Sequence, residues 1–197
     1  MFSKIANLLR TFKYIFIFTF FISLLSIILL RFFNPPFTSY ILAESDFFEK
    51  KYAYEWIALE KAGKNILLAM VSTEDARFCS HMGFDLRELY KVYAKNQKRG
   101  ASTISQQVAK NLFLWPGRSY IRKGLEAYLA VLLEIILPKK RILEIYINIV
   151  ETAPLSFGVN SLSLMSFDRT IDKLNKDQAL KVALVLPNPK NRSPLKL

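Results

Sequence analysis

The chain has 197 residues, 52% of them hydrophobic with 16 Phe, enough for one domain with a substantial core plus an appendage and too little for two soluble domains. Its 28 Lys and Arg against 16 Asp and Glu leave a formal charge of +12, which points to nucleic acid, anionic lipid or a phosphate-bearing substrate without choosing among them. The lone Cys79 excludes an internal disulfide and fits no cysteine-based metal site; it is expected to be a small buried or half-buried hydrophobe.

The first predicted element is a membrane helix. From Tyr14 to Leu30 no charge appears, and at ~1.5 Å rise per residue the run reaches roughly 25 Å, just enough for a bilayer core. Lys4, Arg10 and Lys13 precede it, whereas residues 31–49 set one base, Arg31, against Glu44, Asp46 and Glu49. Residues 1–13 are therefore expected in the cytoplasm and the chain beyond residue 30 outside it. A cleaved signal peptide is the rival, but the apolar run exceeds a usual signal core, and Phe33-Asn34-Pro35-Pro36-Phe37 offers no small-x-small site. Pro35-Pro36 ends the helix and opens a stem over residues 31–60, with Phe37, Tyr40 and Tyr54 placed at headgroup level. Residues 61–197 form the domain.

The domain reads as helices throughout. Asn65–Glu74 puts apolar residues at 66, 67, 70 and 71 on one face and Glu74 at its exit. Partial desolvation there raises a carboxylate towards the range of a general base; a solvated helix-end acid is the alternative. Leu86–Gln97 carries Leu86, Leu89, Tyr90 and Tyr93 on one side and Lys91, Lys95 and Lys98 on another. Gly100 breaks that pattern, and Thr103 with Gln106 makes a capping box for a helix running to about Leu112. Along it Thr103, Gln107 and Lys110 share one face, Ile104, Val108 and Leu112 another, and the free N–H groups at its start are donors for an anion.

Leu112-Phe113-Leu114-Trp115 stands directly before the turn residues Pro116-Gly117. It is either a buried turn or a Trp-tipped loop that dips into a bilayer interface. Ser119–Leu137, stopped by Pro138, sets Arg122 and Glu126 one turn apart, worth only a few tenths of a kcal/mol if the pair is exposed (~0.3–0.5). Lys139–Val150 follows, then a Pro154-containing loop, a weaker helix over Val159–Phe167, and a last helix capped by Asn175 and closed by Pro187-Asn188-Pro189. No strand-length alternation, repeat, or Walker, Rossmann or zinc spacing stands out, so the fold class is all-α.

Glu74 and Glu126 bracket a block in which residues 86–123 hold nine Lys or Arg and one acid, Glu88, a pattern suited to gripping an anionic substrate between two acid/base groups. Three motifs run through it in order. The first is Glu-Asp-x-x-Phe-x-x-His-x-Gly-x-Asp, carried by Glu74, Asp75, Phe78, His81, Gly83 and Asp85. The second is Gly-x-Ser-Thr-Ile-x-Gln-Gln-x-x-Lys-Asn-Leu from Gly100 to Leu112, which includes Ser102, Thr103, Gln107, Lys110 and Asn111. The third is Arg122-Lys123-x-x-Glu126, followed by Ile-Leu-Glu-x-Tyr-x-Asn from Ile142 to Asn148.

Over about residues 64–190 the chain thus resembles the peptidoglycan glycosyltransferases, specifically the short monofunctional, membrane-anchored branch related to the glycosyltransferase domain of bifunctional penicillin-binding proteins. The resemblance implies a mainly helical, lysozyme-like lobe with a small membrane-facing jaw that includes the turn at Phe113–Trp115. It implies that Glu74 is the base that deprotonates the 4-hydroxyl of an acceptor lipid II, whose oxygen attacks the lipid-linked donor strand with inversion. Lys110, Arg122 and Lys123 would stabilise the departing undecaprenyl pyrophosphate. Glu126 would position Arg122 or help bind a divalent cation, Mg or Mn, with no cofactor tightly bound. Asp75, Thr103 and Gln107 would position substrate, while Phe78, His81, Ser102 and Asn111 belong to the structural part of the motifs. The implied partners are lipid II, the growing lipid-linked glycan strand, the membrane and cell-wall synthesis proteins. The implied place is the outer face of the bacterial plasma membrane, which disfavours nucleic acid as the partner of the basic block.

Departures from the family pattern lie downstream. Glu151-Thr152-Ala153-Pro154 stands where a Gly-rich turn is usual, Ser161 to Arg169 replaces an Ala-Ala-x-x-Tyr-Phe-Gly-Lys-like run, and after Pro189 the resemblance leads one to expect a further terminal helix. Two rival functions stay open: a degenerate, non-catalytic relative within the cell-wall machinery, and a lysozyme-like enzyme that cuts glycan, for which the cation cluster is unnecessary.

Overall fold

The computed structural model describes residues 2–95, 100–117 and 119–197. Among these the chain forms nine α-helices, a few short 3₁₀ turns and one small sheet, the mainly helical architecture expected. Asn96, Gln97 and Lys98, the end of the second predicted domain helix and of its basic face, lie outside the described residues.

Helix α1 (Phe2–Leu29) contains a stretch, Leu9–Leu29, of mean hydropathy 2.2 that is long and apolar enough to cross a membrane. Its far end is fastened to the domain. Ile27 and Leu30 enter the core, the hydroxyls of Ser23 and Tyr128 lie 2.9 Å apart, and the Arg141 guanidinium donates to Leu30 O (2.8 Å), Phe33 O (2.8 Å) and Asn34 Oδ1 (2.9 Å). The stem then makes a short helix α2 (Ser39–Glu44), capped by Thr38, and a strand β1 (Ala53–Tyr54). Tyr40 and Tyr54 are half-buried. Their polar tips and rings find partners in the protein: Tyr54 Oη donates to Pro35 O (2.6 Å), and the Tyr40 ring lies against Lys110. Phe37 does stay exposed.

The domain is built on α5 (Ile104–Phe113), which packs against α6 (Tyr120–Ile136), α7 (Lys139–Ile149) and α2; α3 (Lys64–Glu74) packs separately on α9 (Lys176–Val185). The capping box at the head of α5 is present as read: Thr103 Oγ1 accepts from Gln106 N, and the Gln106 side chain accepts from Thr103 N. Asn175 and Gln178 make a second box at α9. Helix α4 (Leu86–Ala94) stands apart, burying none of its residues and exposing Leu86, Tyr90 and Tyr93. The apolar run before Pro116 is mostly core: Leu112 and Leu114 are buried, Phe113 packs against them, and Trp115 alone is half exposed. Cys79 is exposed, contrary to expectation, because the turn Phe78–Ser80 buries Phe78 instead.

The segment after Asn148 holds strands too short for sequence alternation to betray. Strands β2 (Glu151–Ala153) and β3 (Ser156–Phe157) form a hairpin, and β1 adds parallel to β3, giving the order β1-β3-β2. Leu155 turns the hairpin at φ +57, a left-handed conformation that costs a side-chain-bearing residue about 1–2 kcal/mol. Gly158 follows at φ +86, where an added Cβ would lie 2.9 Å from Asn148 O, so only glycine fits before α8 (Val159–Phe167). The Asn148 side chain holds the stem alongside: its Oδ1 accepts from Ile57 N (2.7 Å) and its Nδ2 donates to Ile57 O (2.8 Å).

Candidate active site

The exit of α3, the inner face of α5 and the start of α6 enclose a cleft of about 570 Å³ lined by Glu74, Gln107, Lys110, Arg122, Lys123 and Glu126. A smaller cavity of about 270 Å³, reached by Arg77, Asp85 and Lys91, shares Thr73, Glu74, Gly100 and Ser102 with it. Glu74 therefore stands in the wall between two spaces.

Glu74 Oε2 accepts from Gln107 Nε2 at 2.9 Å, and Gln107 Oε1 in turn accepts from the hydroxyl of Tyr146 on α7 at 3.2 Å. Glu74 Oε1 is buried without a hydrogen-bond partner. Burial raises this carboxyl above the ordinary carboxylate range; the Gln107 donation, Arg192 and Lys110 oppose that, neighbouring Asp75 adds to it, and burial wins. The solvated helix-end acid is thereby set aside.

The other end of the cleft is ionic. Arg122 Nη1 lies 3.1 Å from Glu126 Oε2, and Lys123 Nζ contacts Glu126 Oε1 and donates to Ser102 Oγ (3.0 Å). The Arg122 and Glu126 side chains are only 10% and 5% exposed, so this is a desolvated pair and not the surface salt bridge that i,i+4 spacing alone suggests. Arg122 Nε is buried and unpartnered. Lys110 is held with its Nζ 5.2 Å from the Tyr40 ring centroid; burial lowers its pKa, Arg122 and Lys123 push the same way, and Glu126 and Glu151 oppose them.

Not every expected residue reaches the cleft with a free polar group. Thr103 is the cap of α5, with extended backbone (φ −74, ψ 166), so helical spacing does not carry its hydroxyl to the side of Gln107 and Lys110. That hydroxyl donates to Gly83 O (2.7 Å). Asp75 accepts from Ile104 N (3.0 Å) through Oδ2 and pairs with His81 Nε2 (2.8 Å) through Oδ1, fixing the start of α5 to the end of α3. Phe78 is core, with the Lys139 ammonium 4.3 Å from its ring centroid, and Asn111 is buried on α5. Lys139 also donates to His81 O and Glu134, and Glu134 accepts from Ser105, a partly buried network behind the site.

Among the described residues no three His, Cys, Asp or Glu side chains gather as a metal site. Glu126 gives both oxygens to Arg122 and Lys123, so it does not fit a divalent cation as it stands.

Sequence reading gave Tyr146 and Arg192 no part in the site and placed Tyr40 only in the stem. Tyr146 lies inside the third motif, in an Ile-rich buried helix where a phenol must place its hydroxyl somewhere, and that was the available signal. Tyr40 and Arg192 lie far along the chain from the residues they influence and carried none.

A desolvated carboxylate with one open oxygen, facing a cation cluster across one cleft, is the equipment of a group-transfer enzyme with an anionic leaving group. Comparison with known proteins makes the class specific. A family model described as Transglycosylase matches residues 42–197. The chain is 43% identical over 177 residues to the biosynthetic peptidoglycan transglycosylase of Shewanella oneidensis, covering 86% of this chain and 76% of the relative. It is 42% identical over 186 residues to that of Haemophilus influenzae, covering 88% and 75%, and 40% identical over 168 residues to that of Caulobacter vibrioides, covering 83% and 73%. The chain belongs to the transglycosylase family, and it is a glycosyltransferase.

Proposed function

We propose that this enzyme polymerises lipid II into β-1,4 glycan strands of peptidoglycan and releases undecaprenyl pyrophosphate, with Glu74 as general base. The observation that carries this reading is Glu74 itself, desolvated, tied at one oxygen and open at the other, in the same cleft as Lys110, Arg122 and Lys123. The acceptor lipid II lies on the side of the smaller cavity, and Glu74 takes the proton from its 4-hydroxyl. The oxygen then bonds to the anomeric carbon of the lipid-linked strand, and the bond to pyrophosphate breaks with its electron pair leaving on the phosphate. Fixed cations meet that developing charge without reorganising. Glu126 holds Arg122 and Lys123 in place.

The relatives' printed names, the family match and the apolar α1 support a membrane-bound synthetic enzyme. In this reading α1 spans the plasma membrane with its N-terminus in the cytoplasm, and the exposed apolar residues of α4, with Tyr120 and Ile121 at the start of α6, face the bilayer from outside. A lytic role is disfavoured because cutting a glycan leaves the buried cation cluster without a task. The intact site likewise disfavours a non-catalytic relative.

The test is turnover of labelled lipid II by the detergent-solubilised full chain, with Glu74→Gln as control. Polymer from the wild type alone supports the proposal. Wild-type protein that yields no polymer, or that cleaves preformed strands, refutes it.

A further inference from the structure

Gln107 is the hydrogen-bond donor found on Glu74 among the described residues, and an amide has two ends. With Glu74 ionised, only the NH2 end can face it, since a carboxylate accepts and does not donate. Once Glu74 has taken a proton that restriction lapses. A reversed amide could then accept from a proton on Oε2, trapping it on the inner oxygen. Tyr146 stands against that reversal. Its side chain is fully buried on α7, and its hydroxyl donates to Gln107 Oε1 at 3.2 Å. Reversing the amide would turn an NH2 towards the phenol and leave the phenolic proton buried without this acceptor, a costly state. Burial also holds the phenol pKa well above its ordinary value, so the hydroxyl remains a donor throughout the working pH range.

We infer that Tyr146 is a positioning residue: its hydroxyl fixes the Gln107 amide so that Glu74 keeps Oε2 capped and uses the unpartnered Oε1 to accept the proton. The inference rests on the reading of Glu74 as base. The groups that bear on Glu74 are Gln107 and Lys110 from α5, Tyr146 from α7, the adjacent Asp75, and Arg192 from the segment after α9. Only the first of these is held in orientation by the phenol.

The test is lipid II turnover against pH for the full chain in detergent, comparing wild type, Tyr146→Phe, Gln107→Ala, the double variant and Glu74→Gln. Tyr146→Phe keeps the ring in the core and removes the hydroxyl. It is expected to lower kcat about tenfold with KM within about twofold, and to move the acid limb up by about half to one pH unit, because the donation that lowers the Glu74 pKa is no longer enforced. Gln107→Ala moves the limb the same way and at least as far. Adding Tyr146→Phe to it changes turnover by less than about twofold, since the phenol acts through the amide. The limb position does not depend on how much enzyme is folded, so a stability loss alone cannot mimic it. An unmoved limb in Tyr146→Phe or Gln107→Ala, or a Tyr146→Phe loss that multiplies in full onto Gln107→Ala, overturns the inference. Turnover retained by Glu74→Gln overturns the base assignment instead, which keeps the two failures distinct.

Discussion

Glu74 and Glu126 line one cleft, yet Glu126 gives both oxygens to cations while Glu74 gives one to a neutral amide and keeps the other open. Both are carboxylates at or near the surface of apolar helices, and both are withdrawn from water. What separates them is the charge of their partners. Arg122 and Lys123 occupy both oxygens of Glu126 and make it an organiser of cations, whereas Gln107 only partly offsets the desolvation of Glu74 and leaves it able to take a proton. Burial alone is therefore a poor sign of a catalytic base; burial with one unfilled oxygen is a better one.

The sharpest way to break this comparison is to neutralise each acid in turn. Glu74→Gln is expected to lower polymerisation by about 10²- to 10⁴-fold with little change in lipid II KM, measured as polymer formed from labelled substrate. A loss below tenfold would make the two ends of the cleft equivalent. Arg122→Ala is expected to cost about 10²-fold in kcat, the scale for removing one preorganised group from a developing charge. Near-normal turnover would return Arg122 to a structural role.

Stability separates the two acids in the opposite sense. Glu126→Ala strands Arg122 without its carboxylate in a buried setting and is expected to cost about 3 kcal/mol in urea unfolding of the detergent-solubilised chain. Glu74→Gln should instead stabilise the protein near neutral pH. The sign follows from linkage: the folded Glu74 pKa is raised above the unfolded one, so the folded state pays for ionisation as pH rises from the unfolded value through the folded one. The gain from Glu74→Gln is thus present above the folded pKa and fades as pH falls towards the ordinary glutamate range. A melting temperature for Glu74→Gln at or below wild type at neutral pH would show that Glu74 is not desolvated as described.

The domain helices, the capping box at Thr103, the Asn175 cap and the residues of the cleft could be read from the chain, because amphipathic spacing and cap chemistry are local. The three motifs named Glu74, Gln107, Lys110, Arg122, Lys123 and Glu126 before any packing was known. What packing adds is less local. Thr103 falls on the face of Gln107 and Lys110 by counting, yet as the cap residue it turns its hydroxyl to Gly83 and lines the smaller cavity beside Glu74. Tyr40, read only as an aromatic of the stem beside a membrane span, also covers Lys110 from 70 residues away. The segment after Asn148, read as a departure from the family pattern, still closes as a hairpin, because Gly158 keeps the one close approach that needs glycine and Leu155 accepts a strained turn.

The smallest expected effect returns to spacing and burial. Lys181 and Asp177 on α9 stand i,i+4 at 3.5 Å, the sequence spacing of Arg122 and Glu126, but the Asp177 side chain is 72% exposed. Water already solvates that carboxylate in either state, so Asp177→Ala is expected to change stability by no more than ~0.5 kcal/mol and to leave lipid II turnover unaltered. Set beside Glu126→Ala in the same unfolding assay, it isolates desolvation from sequence spacing. If the two substitutions cost the same, the Arg122–Glu126 pair gains nothing from its burial, and the case for Glu126 as organiser of the cations falls with it.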